Sequence, residues 1–193
     1  MIMAELFTMA LAAILINNVV LSKFLGVCPF LGVSKNSKSA VGMGLAVIFV
    51  IFGASLITYA LYYGILVPLN IEFMQLITFI LVIATFVQFV EMFIKKYSAS
   101  LYKSLGIYLP LITTNCVVLF VAKDNITQGY NLVETMVNSI AYPLGFMLVL
   151  YLFSCLRERL DSADTLPSWK GNPIALVTAA LMALAFSGFV GIV

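Results

Sequence analysis

Six long apolar runs dominate this sequence and limit the folds that it can adopt. Each run has about 20 residues, enough for a helix to cross the ~30 Å hydrocarbon core of a bilayer. The chain is 63% hydrophobic and 9% charged, with a mean hydropathy of +1.14, which is far outside the range of soluble domains. The runs lie near 3–22, 40–63, 73–94, 104–122, 132–156 and 173–193. The sequence therefore predicts an all-α integral membrane protein with six transmembrane helices.

Short connections between the runs leave no room for a separate soluble domain, so residues 1–193 are predicted to form a single membrane domain. The six spans divide into two halves of three, about 1–96 and about 97–193. Because three is odd, the halves must cross the membrane in opposite directions. This is the inverted-repeat architecture of many membrane transport proteins, in which broken helices meet near the midplane.

The basic residues alternate between the two sides of the predicted bundle. Nine of the ten Lys and Arg side chains follow span one, three or five, and only Lys123 follows span four. The positive-inside rule assigns the loops with Lys35, Lys95 and Arg157 to the cytoplasm, so both termini are expected outside. The first run has neither a basic leader nor a small-residue cleavage site, so it is expected to be a retained span and not a signal peptide.

Two segments interrupt the apolar sequence with Gly and Pro, and each contains a cysteine. Cys28 lies in the first segment, residues 23–34, and Cys116 ends the second, residues 105–116. Open backbone groups at membrane depth are tolerated only where protein or a cavity covers them. We expect residues 24–33 to be a re-entrant turn or the unwound end of span one, and span four to break at Gly106 and Pro110. Both thiols can then approach the middle of the membrane.

Thiolates are the usual ligands of iron–sulfur clusters, so Cys28 and Cys116 are candidate ligands of a buried redox centre. Two thiolates cannot complete a four-thiolate site, and the chain has no His and no CxxC motif. Two further ligands would come from a related subunit packed across a pseudo-twofold axis. One alternative is that both cysteines are small buried residues. Another is a disulfide between them, which is disfavoured by their membrane depth and by access from the cytoplasmic side. Cys155, in an unbroken apolar helix, is interpreted as a small buried residue.

Polar residues inside the spans are expected to face the protein interior, because they are costly in lipid. They are Asn17 and Asn18 in span one and Thr113, Thr114 and Asn115 in span four. They can form interhelical hydrogen bonds, or line the cluster or an ion path. No acidic residue lies at mid-membrane, which argues against this chain alone being an ion pump. Phosphate loops, nucleophile elbows and nucleic-acid patches are also absent from the sequence, so no nucleic-acid partner is expected.

The two cysteine segments resemble the RnfA/NqrE family of membrane subunits. The resemblance rests on residues 20–34, 105–116, 157–160 and 171–182, and it extends over essentially the whole chain. Asn17 and the Thr-Thr-Asn-Cys run favour the branch found in the Rnf electron-transport complex. The alternative is the NqrE branch of the Na+-translocating NADH:quinone reductase.

The resemblance implies a subunit of an ion-translocating ferredoxin:NAD+ oxidoreductase in the cytoplasmic membrane of a prokaryote, not catalytic alone. It implies partners among the other Rnf subunits, above all a homologous subunit of opposite topology (RnfE-like). Cys28 and Cys116 would bind one intramembrane [2Fe-2S] cluster shared with that subunit, relaying electrons coupled to Na+ or H+ transport. The alternatives of another class are a small secondary transporter and a structural membrane subunit.

Overall fold

The computed structural model describes residues 2–97, 109–162 and 171–188, and within these ranges all regular structure is helical. Nine α-helices are labelled in chain order over these residues. They are α1 (Ile2–Leu11), α2 (Val19–Lys23), α3 (Val27–Val33), α4 (Ser37–Leu61), α5 (Gln75–Tyr97), α6 (Leu109–Thr113), α7 (Cys116–Thr127), α8 (Leu132–Asp161) and α9 (Asn172–Ser187). A π-helical turn, Ala12–Ile16, extends α1, while α4 continues through Tyr62–Leu66 and Val67–Leu69. A 3₁₀ turn, Glu72–Met74, precedes α5.

Three helices in the described parts of the chain are long and apolar enough to cross a membrane. They are Ser37–Leu69, Gln75–Phe93 and Leu132–Asp161. The predicted runs 40–63, 73–94 and 132–156 are thus confirmed as long apolar helices. Two further apolar helices, Leu6–Ile16 and Asn172–Ser187, are shorter.

The other predicted spans are shorter or interrupted. Run 3–22 is divided between α1 and α2, and run 104–122 between α6 and α7, with 104–108 outside the described residues. The last run, 173–193, forms α9 as far as Ser187, and 189–193 lie outside the description. Six complete spans therefore stay a prediction.

The chain divides into two compact units whose boundaries fall inside α4 and α8. The first unit contains Met1–Leu45 and Ala141–Val193, and the second contains Ala46–Ile140. This division and the predicted halves, 1–96 and 97–193, describe different things. The halves concern the direction in which the chain crosses the membrane, and they stay a prediction.

The core of the first unit is built around the second part of α8. One side of α8 buries Phe146, Leu150 and Phe153, which are fully enclosed. Gly145, on the same helix, packs against the π-helical turn that extends α1, since a Cβ there would stand 2.9 Å from the carbonyl oxygen of Ile14. Only a glycine permits this backbone approach, which is the usual reason for small residues at membrane helix contacts.

The core of the second unit combines an apolar centre with a buried polar network. Val47, Ile51, Phe79 and Val117 are among its enclosed side chains. The network joins α7 to α8: Asn138 Nδ2 donates to Asn125 Oδ1 at 2.8 Å, and Asn125 Nδ2 donates to Ser139 Oγ at 3.2 Å. Each amide thereby finds a partner for a polar group that would be costly to bury alone.

Candidate functional site: two helix breaks with cysteines

The first break lies at Asn17 and Asn18, between α1 and α2. The main-chain N–H of Asn17 closes the π-helical turn by donating to the Ala12 carbonyl at 2.8 Å. Asn18 then leaves helical geometry, and its Oδ1 accepts from the N–H of Val20 at 3.1 Å, which makes it the N-cap of α2. Its Nδ2 donates to the carbonyls of Ile14 at 3.1 Å and Gly145 at 2.9 Å. One buried side chain therefore ends one helix and begins the next.

Cys28 lies on the short helix α3, immediately after a second irregular turn. Phe24 and Gly26 both adopt left-handed backbone conformations, with φ of 54° and 74°, which ends α2 and separates it from α3. Residues 24–33 are predicted as a re-entrant turn or the unwound end of span one. Of these residues, Val27–Val33 form α3, in whose first turn Pro29 costs no hydrogen bond, and the re-entrant placement stays a prediction. Cys28 is exposed on this helix.

Two contacts hold α3 within the first unit. The rings of Phe30 and Phe153 stack with their centroids 4.1 Å apart. Arg157, which is 3% exposed, donates from Nη1 to the Leu31 carbonyl at 2.7 Å and to Ser34 Oγ at 2.9 Å. The buried face of α3 is thus fixed to α8, which leaves the opposite face and its Cys28 thiol accessible.

The second break lies at Thr114 and Asn115, between α6 and α7. Asn115 is the N-cap of α7, and its Oδ1 accepts from the N–H of Val117 at 3.1 Å. Cys116 is the first residue of α7 and is exposed. Of the predicted breakpoints, Gly106 lies outside the described residues and Pro110 is the second residue of α6.

Asn18 and Asn115 occupy matching places in the chain. Asn115 follows Asn18 by 97 residues, and each accepts from the N–H two positions ahead at 3.1 Å. Helix α9 also starts 97 residues after α5, at Asn172 and Gln75. The same local conformation therefore recurs at the start of both predicted halves. Val19 stands where the second half has Cys116, so the two cysteines are not equivalent positions of this repeat.

The predicted polar residues divide into an inward and an outward set. Asn18 and Asn115 are buried, as expected, whereas Asn17 and Thr114 are exposed. An N-cap side chain turns back over its own helix, so the residue before it points away. The Nδ2 of Asn115 is buried without a hydrogen-bond partner among the described residues, unlike that of Asn18.

The three cysteines lie in different surroundings. Cys28 belongs to the first unit and Cys116 to the second, and both are exposed, whereas Cys155 is half-buried along α8. No disulfide joins them, although all three lie in described parts of the chain. Within those parts, no group of three or more His, Cys, Asp or Glu side chains is arranged to hold a metal ion.

Sequence reasoning missed two features of this site. The residues Asn18 and Asn115 were treated as polar lining, although Asn followed by Val-Val-Leu or Cys-Val-Val-Leu is a signal for an N-cap before an apolar helix. The anchoring role of Arg157 was also missed, because the sequence suggested only a cytoplasmic loop charge.

Comparison with known proteins agrees with the resemblance of the motifs. The family profile described as "Rnf-Nqr subunit, membrane protein" matches residues 6–193. A relative from Acetobacterium woodii, named as a subunit of the Na(+)-translocating ferredoxin:NAD(+) oxidoreductase complex, is 57% identical over 94% of both chains. Relatives named as the corresponding subunit of an ion-translocating oxidoreductase complex are 51% identical in Aliivibrio salmonicida and 52% identical in Syntrophotalea carbinolica, over 99% of each chain. The chain therefore belongs to the Rnf-Nqr family of membrane subunits.

Proposed function

We propose that this chain works as the RnfA subunit of an ion-translocating ferredoxin:NAD+ oxidoreductase, the Rnf complex. Its work there is electron relay coupled to Na+ or H+ transport, and it does not catalyse the reaction alone. The names of the relatives support this assignment, since each describes the same component of such an oxidoreductase complex, and each relative aligns over nearly the full chain. One structural observation carries the detailed role: both thiols of the family motifs are exposed beside helix breaks.

We assign Cys28 and Cys116 as two of the four thiolate ligands of a [2Fe-2S] cluster, the other two coming from a homologous subunit of opposite topology (RnfE-like). Exposed thiols suit a ligand set completed by another chain, because a partner can reach them. The buried Nδ2 of Asn115, next to Cys116, also fits such a group, because thiolate and sulfide sulfur accept hydrogen bonds. When bound, the cluster supplies a one-electron carrier inside the membrane.

The chain's own residues prepare this site. The caps at Asn18 and Asn115 fix where α2 and α7 begin, and the Phe30 and Arg157 contacts keep the Cys28 face of α3 outward. In Cys155 the thiol is half-buried on a continuous helix, and we give it no ligand role.

The proposed placement is in the cytoplasmic membrane of a prokaryote, with six spans, two inverted halves and both termini outside. The alternating basic residues support this topology. The recurrence of an Asn-capped break after 97 residues supports the inverted halves, since an odd number of spans separates the two copies.

The test is the iron content and the EPR signal of the dithionite-reduced complex for three single variants. Cys28→Ser and Cys116→Ser should each remove or badly weaken one [2Fe-2S] signal, because a neutral hydroxyl is a poor substitute for a thiolate ligand. The matched control, Cys155→Ser, should leave both readouts unchanged. Association with the partner subunit should also weaken in the first two variants, because metal binding energy is shared with assembly.

A result in which all three variants keep the wild-type signal and iron content would contradict the ligand assignment. A transporter or a structural subunit without a cluster would then explain the family membership better. Loss of the signal in Cys155→Ser alone would also contradict it.

A further inference from the structure

Arg157 is a buried cation whose hydrogen-bond acceptors, within the described parts of the chain, are all neutral. It is 3% exposed, and it donates to the Leu31 carbonyl, the Ser34 hydroxyl and, from Nη2, Asn172 Oδ1 at 3.2 Å. The nearest acid in sequence, Glu158, is engaged elsewhere, since its Oε1 accepts from the main-chain N–H of Ser37 at 3.1 Å. These three hydrogen bonds are to neutral oxygens, so within the described parts of the chain they do not neutralise the charge of the guanidinium.

Burying a charge is costly unless an opposite charge compensates it. A cation that only held helices together would gain from a carboxylate at one of its three acceptors. At position 172, for example, Asp would occupy the same space as Asn and would supply such a carboxylate. An uncompensated charge at such a place favours a nearby group that carries, or gains, negative charge.

Cys28 lies on the same short helix as Leu31, whose carbonyl accepts from Arg157. Leu31 is three residues after Cys28, so the Arg157 guanidinium binds the turn of α3 that follows the cysteine, a rise of about 5 Å along the helix. The protein interior around Arg157 screens charge poorly compared with water. The charge is thus placed to act on anything bound at Cys28.

We propose that Arg157 is a charge-setting residue that makes the cluster bound at Cys28 easier to reduce. This inference rests on the proposed function, because it needs a cluster ligated by Cys28. A four-thiolate cluster is anionic, and the electron it accepts on reduction adds one further negative charge without breaking or forming a ligand bond. The fixed positive charge of Arg157 stabilises that reduced state more than the oxidised state.

The expected size follows from Coulomb's law. At an assumed separation of about 12 Å and an effective dielectric constant of about 20, a unit charge changes such an equilibrium by about tenfold. For a one-electron couple, a tenfold change corresponds to about 59 mV. A shift of this size is readily measured in a redox titration followed by EPR.

The experiment measures the midpoint potential of the centre that Cys28→Ser removes, together with iron per complex, in purified Rnf complexes. Arg157→Gln removes the charge, and Asn172→Asp neutralises it with an almost isosteric carboxylate that keeps the hydrogen bond. Both should lower the potential, by an amount equivalent to about tenfold in the reduction equilibrium. Arg157→Lys, which keeps the charge, should stay close to wild type.

Two matched controls separate charge from structure. Asn172→Ala removes one hydrogen bond and leaves the charge, so the potential should not move. Ser162→Asp adds the same negative charge at an exposed position near the end of α8, where solvent screens it, and it should also have little effect.

The proposal is overturned if Arg157→Gln or Asn172→Asp assembles with wild-type iron and an unchanged potential. It is also overturned if Asn172→Ala shifts the potential as much as Asn172→Asp does. If the Arg157→Gln complex fails to assemble, the midpoint potential of the Asn172→Asp complex alone decides whether the proposal holds. If the Cys28→Ser complex keeps every iron–sulfur centre of the wild-type complex, that result contradicts the proposed function instead. The two failures are therefore distinguishable.

Discussion

The side-chain amide of Asn18 donates a hydrogen bond to the main-chain carbonyl of Gly145, 127 residues away, at 2.9 Å. The same side chain bonds Ile14 and caps α2. Three segments of the first unit are thereby joined by one residue that is only 1% exposed.

Replacing Asn18 by Ala should destabilise the protein by about 2–4 kcal/mol. The loss of an N-cap accounts for about 1 kcal/mol, and the loss of the buried hydrogen bonds to the Ile14 and Gly145 carbonyls accounts for about 1–3 kcal/mol. Thermal unfolding of the detergent-solubilised complex measures the effect. Asn17→Ala, at the exposed neighbour, is the control and should stay within about 0.5 kcal/mol. Equal effects of the two changes would contradict the role given to Asn18.

Gly145→Ala should disturb the contact between α8 and α1. The new Cβ would lie 2.9 Å from the Ile14 carbonyl oxygen and 3.1 Å from its Cα, and backbone atoms cannot rotate away as a side chain does. We expect a loss of about 1–3 kcal/mol, typical of overpacking. Gly64→Ala is the matched control, since no atom lies within 4 Å of its added Cβ. It should be neutral or slightly stabilising in the same unfolding assay.

Phe30→Ala should lower both stability and cluster occupancy. The ring is buried against Phe153, so its removal leaves a cavity that costs about 3–5 kcal/mol. It also loosens α3, two residues from Cys28, which should reduce iron per complex. Phe49→Ala removes the same ring from an exposed position and should retain the iron. Full iron content in Phe30→Ala would show that α3 does not need this anchor.

Accessibility of introduced cysteines tests the topology. Asn36→Cys lies among the basic residues that follow α3, and Gln128→Cys lies between α7 and α8, and both positions are exposed. A membrane-impermeant maleimide should label position 128 in intact cells and position 36 only in inverted vesicles. Labelling of position 36 from outside would contradict the positive-inside assignment.

Long helices were predictable because their signal is distributed over many residues. The apolar runs that became Ser37–Leu69, Gln75–Phe93 and Leu132–Asp161 each contain enough hydrophobic residues that no single position decides the outcome. The cysteine segments were found for another reason. Gly and Pro near each cysteine weaken the helical pattern of the apolar sequence, and Gly26 adopts a left-handed conformation that glycine tolerates well.

The Asn caps leave a local signal, but the long-range contacts made at the breaks were not predictable, because they join residues that are distant in sequence. The side-chain amide of Asn18 donates to the Gly145 carbonyl where the helix breaks, and no local sequence pattern predicts a hydrogen-bond acceptor in α8. Arg157 raises the same difficulty. A basic residue near a helix end normally lies in solvent, and only the folded first unit shows that Leu31, Ser34 and Asn172 enclose it.

The unpaired amide of Asn115 has a consequence for handling the protein outside its complex. A buried N–H group without an acceptor among the described residues lowers the stability of the isolated chain by about 1–3 kcal/mol. Ser at position 115 would keep an oxygen for the Val117 N–H and dispense with the surplus donor. The Asn115→Ser chain should therefore survive purification alone better than the natural one, with a higher unfolding temperature in detergent. Position 115, where only the oxygen of the side-chain amide is bonded within the described residues, is thus the place to begin when engineering a free-standing form.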